Sequence, residues 1–195
     1  TIITDKSKSK NAIINQGVNK DKDSNWINRI DFGKIESFKN EGFYGFVSVK
    51  SLLNNYSQIP AIRGVYMVLR IITKEPFFLD KGSGGYFKGT DPNVAIKILQ
   101  EKWVYNTPVL YIGKAGGEGK EATLRSRILQ YLKFGQGKPV GHKGGCYIWQ
   151  LSDAEELLFC WKPLPTDEPE DVESMMISEF KHQYAGKRPF ANLNK

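Results

Sequence analysis

Two apolar, β-branched runs dominate the hydrophobic pattern: Gly64 to Ile72 reads GVYMVLRII, and Pro108 to Gly113 reads PVLYIG. Bounded by Pro, Gly and charged residues, both predict strands. Each presents a tyrosine, Tyr66 and Tyr111. A phenol on a rigid strand is a well-held proton donor or acceptor, although either tyrosine taken singly would serve as ordinary aromatic core. The stretches GGCYIWQL and ELLFCWKPL also read as strands, with Cys146 and Cys160 as small buried hydrophobes within them. Elsewhere the apolar period lengthens to that of a helix. From about Thr123 the chain reads LRSRILQYLKF, with Leu124, Ile128, Tyr131 and Leu132 on one stripe. Near the C-terminus, Thr166-Asp167-Glu168-Pro169 signals a helix start and Ala185-Gly186 its stop, with Met176, Ile177, Phe180 and Tyr184 as its apolar face. A short helix is expected around Val49 to Asn55, and another from a Thr90-Asp91-Pro92 start to about Tyr105.

These elements divide the chain. Residues 1–25 are polar and rich in Lys, Asp and Asn, a mobile arm by composition. Residues 26–60 read as an ordered extension packed on the core. Residues 61–195 read as one domain with an insertion at about 74–108. The insertion opens with KGSGGYFKGT, which lacks the Lys-Ser/Thr ending of a P-loop, so nucleotide binding is not expected. The expected fold is α/β: a small, mainly antiparallel sheet of three or more strands flanked by helices.

Charge refines this picture where it falls on apolar faces. Arg127 lies three residues past Leu124 and four before Tyr131, so it must be paired or line a cleft. Arg125 points away from that stripe, one turn after Glu121, an ordinary surface pair. Glu173 sits on the inward face of the C-terminal helix, as an ion-pair partner or a ligand for a hard cation; Glu179 projects elsewhere. The net charge of +7 suits a polyanionic partner. Residues 111–143 hold seven Lys/Arg against two acids, while residues 153–173 hold eight acids against Lys162 alone. A basic cradle beside an acidic segment is what a phosphate-binding, metal-using site requires, though most of those acids read as a solvated face. Two cysteines and two histidines make neither a disulfide framework nor a zinc site, and imply a reducing, cytoplasmic setting. No apolar run approaches the ~20 residues of a membrane helix.

In order, Gly64-Val65-Tyr66, Tyr111-Ile112-Gly113-Lys114, Arg127-Ile128-Leu129-Gln130-Tyr131, Glu173 with Met176-Ile177, and Pro189-Phe190-Ala191-Asn192 resemble the motifs of the GIY-YIG nuclease superfamily. The match runs from about residue 60 to the end. It departs from the family in placing 44 residues between Tyr66 and Tyr111, and in a long stretch from Glu173 to Asn192. The second departure leaves Glu173 and Glu179 both open as the family's metal-binding glutamate; the helical face and the following Met-Ile favour Glu173.

The resemblance implies hydrolysis of phosphodiester bonds in DNA with one divalent metal, Mg²⁺ or Mn²⁺, held by Glu173. It implies Tyr66 as general base with its pKa lowered by nearby cations, and Tyr111 as orienter of water or phosphate. Arg127 would stabilise the transition state. Lys114 would depress the phenol pKa or bind phosphate, Tyr131 would be a supporting hydrogen-bonder, and Asn192 would support the metal side. DNA contacts are expected from Lys114, Lys120, Arg125, His142 and Lys143. The chain's end soon after Asn192 fits a stand-alone, restriction-type enzyme better than members with further modules. By analogy with two-fold palindromic sites such an enzyme acts as a homodimer. The alternative is a non-cleaving or structure-specific nucleic-acid-binding protein that keeps the fold.

Overall fold

The computed structural model describes residues 25–141 and 143–193; the expected arm thus lies almost wholly outside the described residues. In chain order the helices and strands are α1 (Ile35–Asn40), β1 (Tyr44–Ser48), α2 (Val49–Asn54), β2 (Gly64–Leu69), α3 (Ile96–Lys102), β3 (Val109–Ala115), α4 (Leu124–Gly135), β4 (Leu158–Pro163) and α5 (Pro169–Gln183), with 3₁₀ turns at Asn25–Arg29, Lys143–Gln150 and Ala154–Glu156. The run GVYMVL becomes β2, buried along its whole length and paired antiparallel with β3 on one side and β4 on the other. Strand β1 pairs antiparallel with the far side of β4, so the order is β1-β4-β2-β3. The α/β expectation holds, with four antiparallel strands. The extension does more than pack on the core: it supplies a strand to the same sheet.

Strand period two sorts the side chains onto two faces. Tyr66, Val68 and Tyr111 join Leu124, Ile128 and Leu132 of α4 on one face; Val65, Met67 and Ile112 join Val172, Met176 and Phe180 of α5 on the other. Burial on both faces explains why β2 and β3 read as continuous apolar runs rather than alternating ones. A reciprocal capping box between Thr123 and Ser126 starts α4 at the place its sequence predicts. Pro169 occupies the first turn of α5. Trp26, Ile27, Phe32 and Phe38 of the extension complete the α5 face. The insertion closes over the α4 face. Backbone at Gly82 presses on Trp149 and at Gly85 on Lys138, each so closely that a Cβ would collide. Gly82 and Gly85 therefore serve close packing. Gln150, fully buried, accepts from Val94 N at 2.8 Å and donates to the carbonyls of Leu79 and Val94 at 3.0 Å each.

Three local expectations are corrected. The stretch GGCYIWQL forms no strand but the 3₁₀ turn Lys143–Gln150. Its Gly145 lies so close to the Tyr131 ring that a Cβ would collide with it, and Ile148, Trp149 and Gln150 are buried in succession. Cys146 is accordingly half-buried, whereas Cys160 on β4 is a buried small hydrophobe as expected. The insertion helix starts at Ile96 rather than at Thr90. Asp91 instead accepts the backbone N–H of Asn93 at 2.9 Å, and Phe87 to Thr90 close a tight turn with Lys88 and Gly89 at positive φ. Cap-type residues make turns as readily as they start helices.

Arg70 ends β2 and anchors the root of the insertion. Its Nε donates to Asp153 at 2.8 Å and its Nη1 to the carbonyls of Ile72 and Lys74 at 2.9 and 2.8 Å, with side chains 6% and 15% exposed for Arg70 and Asp153. Breaking a buried pair on one side strands the other charge. Asp153→Ala is therefore expected to lower the free energy of unfolding by about 3 kcal/mol, read from urea denaturation.

Candidate active site

The register of β2 against β3 sets the centre of the site. Tyr66 lies opposite Gly113, and Tyr111 opposite Val68, so the two phenols are diagonal neighbours on one face with ring centroids 5.9 Å apart. Gly113 is required there. A Cβ at that position would sit 2.6 Å from Tyr66 Cζ and 2.6 Å from Tyr111 Cε1. The other tripeptide glycine, Gly64, faces the Lys162 carbonyl and Leu124 of α4 with no room for a side chain. Tyr131 of α4 packs on Tyr111 with centroids 6.1 Å apart and on Phe159 at 5.2 Å.

The phenols differ in access and in proton affinity. Tyr66 is 0% exposed and its hydroxyl makes no well-formed hydrogen bond among the described residues. Burial and the neighbouring Tyr111 push its pKa well above the ordinary value, and Arg127 opposes them only in part. The expected lowering by nearby cations is thus reversed: desolvation of a phenolate outweighs one guanidinium. Tyr111 is 8% exposed, with its pKa pushed up to about 12 by burial first and by Glu173 second, against Tyr66 and Arg127. Tyr131, buried completely, is likewise held protonated by desolvation.

Arg127 and Glu173 come to Tyr111 from helices on opposite faces of the sheet. The half-buried Arg127 donates through Nη1 to Gln130 Oε1 at 2.9 Å and forms no ion pair among the described residues. Gln130 in turn donates to the Gly141 carbonyl at 3.3 Å, and Gly141 packs under the Phe87 ring of the insertion. Gln130 stood unremarked in the sequence because a polar residue on a helix carries no pattern of its own. Glu173 is half-buried and raises Tyr111 electrostatically; Glu179 accepts from Gln183 at 2.9 Å and acts on neither phenol. Both glutamates are half-buried, so burial does not separate them.

Several expected contacts lie elsewhere. Lys114, paired in register with Val65 on the α5 face, puts its Nζ 2.7 Å from Glu170, and Lys120 lies 3.0 Å from the same carboxylate. These two ammonium groups hold the Glu170 carboxyl down to about 2, and Lys114 acts on neither phenol. Arg125 makes no pair with Glu121. Its Nε donates to the Ile59 carbonyl at 2.7 Å and its Nη2 to Ser57 at 2.9 Å, which ties α4 to the segment before β2. Asn192 brackets Ile112, accepting its N–H at 2.9 Å and donating to its carbonyl at 2.8 Å. It pairs with the free edge of β3 as a strand would, which protects that edge. His142 lies outside the described residues, and so does the side chain of Lys143.

No group of three or more His, Cys, Asp or Glu side chains able to hold a metal occurs among the described residues. A single carboxylate such as Glu173 suits Mg²⁺, which keeps most of its waters and takes further oxygens from substrate phosphate. No helix among the described residues is long and apolar enough to cross a membrane. No family model, curated protein or solved structure matches the chain at a significant level.

Gly113→Ala should force the two rings apart, at a cost of roughly 1–3 kcal/mol in denaturant unfolding, the scale of overpacking. The alkaline limb of stability has a definite sign. Between the ordinary phenol value of 10.0 and about 12, folded Tyr111 keeps a proton the unfolded chain loses, so stability falls across that window and is independent of this group below it. Phenolate absorbance should show Tyr66 and Tyr131 ionising only as the chain unfolds. Tyr111→Phe should shallow the fall.

Proposed function

We propose that this chain is a divalent-metal-dependent endonuclease of GIY-YIG type that hydrolyses phosphodiester bonds in DNA, with restriction-type cleavage of duplex DNA by a homodimer as its specific form. The observation that carries the reading is Arg127: a half-buried guanidinium, held by Gln130, that meets no carboxylate among the described residues and acts on both phenols of the strand pair. Keeping such a charge unpaired is costly unless an anion completes it. A phosphodiester supplies that anion, and its extra negative charge in the pentacovalent transition state is what a preorganised cation stabilises.

Glu173 would hold Mg²⁺ or Mn²⁺ beside that phosphate. The metal, when bound, supplies Lewis-acid polarisation of a phosphoryl oxygen. Tyr111, the phenol that reaches solvent, orients the attacking water by hydrogen bonding. Tyr66 lies sealed beside it, so its use as base depends on cationic charge gathered by the bound phosphate and metal. Asn192 fixes the edge strand on which Tyr111 sits. The buried, high-pKa Tyr66 favours one other reading, a nucleic-acid-binding protein that does not cleave.

Incubation with supercoiled plasmid, with and without Mg²⁺, separates the two. Nicked or linear product with Mg²⁺ alone is expected, abolished in Glu173→Gln and retained in Glu179→Gln. Arg127→Ala should lower the rate by about 100-fold or more, the loss of one preorganised charge stabiliser. Tyr66→Phe keeps the packing and tests the base directly. DNA binding without cleavage under any metal would establish the non-cleaving reading instead.

A further inference from the structure

The nuclease reading leaves a question of charge. Of the cations expected on DNA, Lys114 and Lys120 are spent on Glu170 and Arg125 on backbone carbonyls. Arg127 alone can meet one phosphate, but a duplex presents a row of them, and neutralising several supplies most of the affinity. Unpaired surface lysines are scattered over the molecule; on one cleft they converge.

That cleft, of ≈ 660 Å³, lies where α3 and α5 end and the C-terminal segment returns to the sheet. Lys102, Lys181, Lys187 and Arg188 line it, against the single acid Glu101. None of the four cations forms an ion pair among the described residues. Lys102 and Lys181 fall in the last turns of their helices, where a cation complements the helix dipole. That accounts for two of the four. Lys187 and Arg188 lie beyond the end of α5, past Gly186 at φ 82°, so no dipole accounts for them. Arg188 is half-buried and yet gives its guanidinium to no acceptor among the described residues. Tyr147 contributes a phenol whose burial keeps it protonated and so a donor.

The cleft is joined rigidly to the proposed active site. Directly after Arg188, the segment Pro189–Asn192 runs along the free edge of β3: Ala191 N donates to the Leu110 carbonyl at 2.8 Å, and Asn192 brackets Ile112. Tyr111 is the residue between those two anchor points. We infer that this cleft is a second phosphate-binding site, which grips the DNA backbone flanking the phosphate held at Arg127. The inference rests on the nuclease reading for its choice of DNA, and it assigns backbone contacts to Lys102, Lys181, Lys187 and Arg188.

The test is equilibrium binding of a mixed-sequence DNA duplex in EDTA, where no cleavage intervenes, across a range of salt concentrations. Each phosphate contact contributes about 0.9 to the slope of log K against log salt. Lys187→Ala with Arg188→Ala should therefore reduce the slope by about 2, while Arg188→Lys, which keeps the charge, and Lys50→Ala on remote α2 should leave it near the parent value. Thermal unfolding checks that the variants remain folded. Binding by the parent with an unchanged slope in the double variant would overturn the cleft and leave the nuclease reading standing. Loss of slope in a protein that never cleaves with Mg²⁺ would keep the cleft and remove the nuclease. A parent that binds no DNA overturns both. A mononucleotide that displaces the duplex from the parent but not from the double variant would give the cleft to a free nucleotide, which also overturns the proposal.

Discussion

The arrangement depends on a missing side chain. Gly113 leaves the space in which the Tyr66 ring lies against β3 and meets Tyr111. Fill that space by one methyl group and both phenols must move, because packed interiors do not absorb such volume. With the rings in place, Tyr131 and Phe159 close around them and α4 seats on the sheet, which carries Arg127 to the phenols. A residue lacking a side chain thus fixes the positions of five that have them.

Tyr111 is where the two sides of the molecule meet. It lies on β3, an edge strand, so groups from either face can reach round it: Arg127 from α4 and Glu173 from α5. A central strand would have separated them. The same exposure makes the edge a liability, and the C-terminal segment covers it through Ala191 and Asn192. Edge protection and site assembly are one structural device here.

Charge is distributed more economically than its total suggests. The local basic run from 111 to 143 looks like a single cradle in one dimension. In three dimensions it is divided: Lys114 and Lys120 fasten the glycine-rich loop to α5 through Glu170, and Arg125 fastens α4 to the chain before β2. Arg127, from the same run, meets no carboxylate among the described residues, and neither do the cations of the C-terminal cleft, from other parts of the chain.

The sequence by itself determined the strands β2 and β3, the start of α4, the extent of α5 to within a residue or two, and the choice of Tyr66, Tyr111, Arg127 and Glu173 as the unusual residues. Those follow from local periodicity, from capping chemistry and from charges on apolar faces, all of which are short-range. It misjudged GGCYIWQL, whose apolar content suits a strand but which packs as a 3₁₀ turn with Gly145 against the Tyr131 ring. It misjudged the partner of Arg125, and did not show Glu170 as the partner of Lys114 and Lys120, for a related reason. Their partners, Ile59, Ser57 and Glu170, lie 66, 68 and about 50 residues or more away, and no periodicity spans such separations. Tertiary structure alone decided the phenols' proton affinity as well. A pKa depends on how much water and which charges surround the group, and burial under α4 set both for Tyr66.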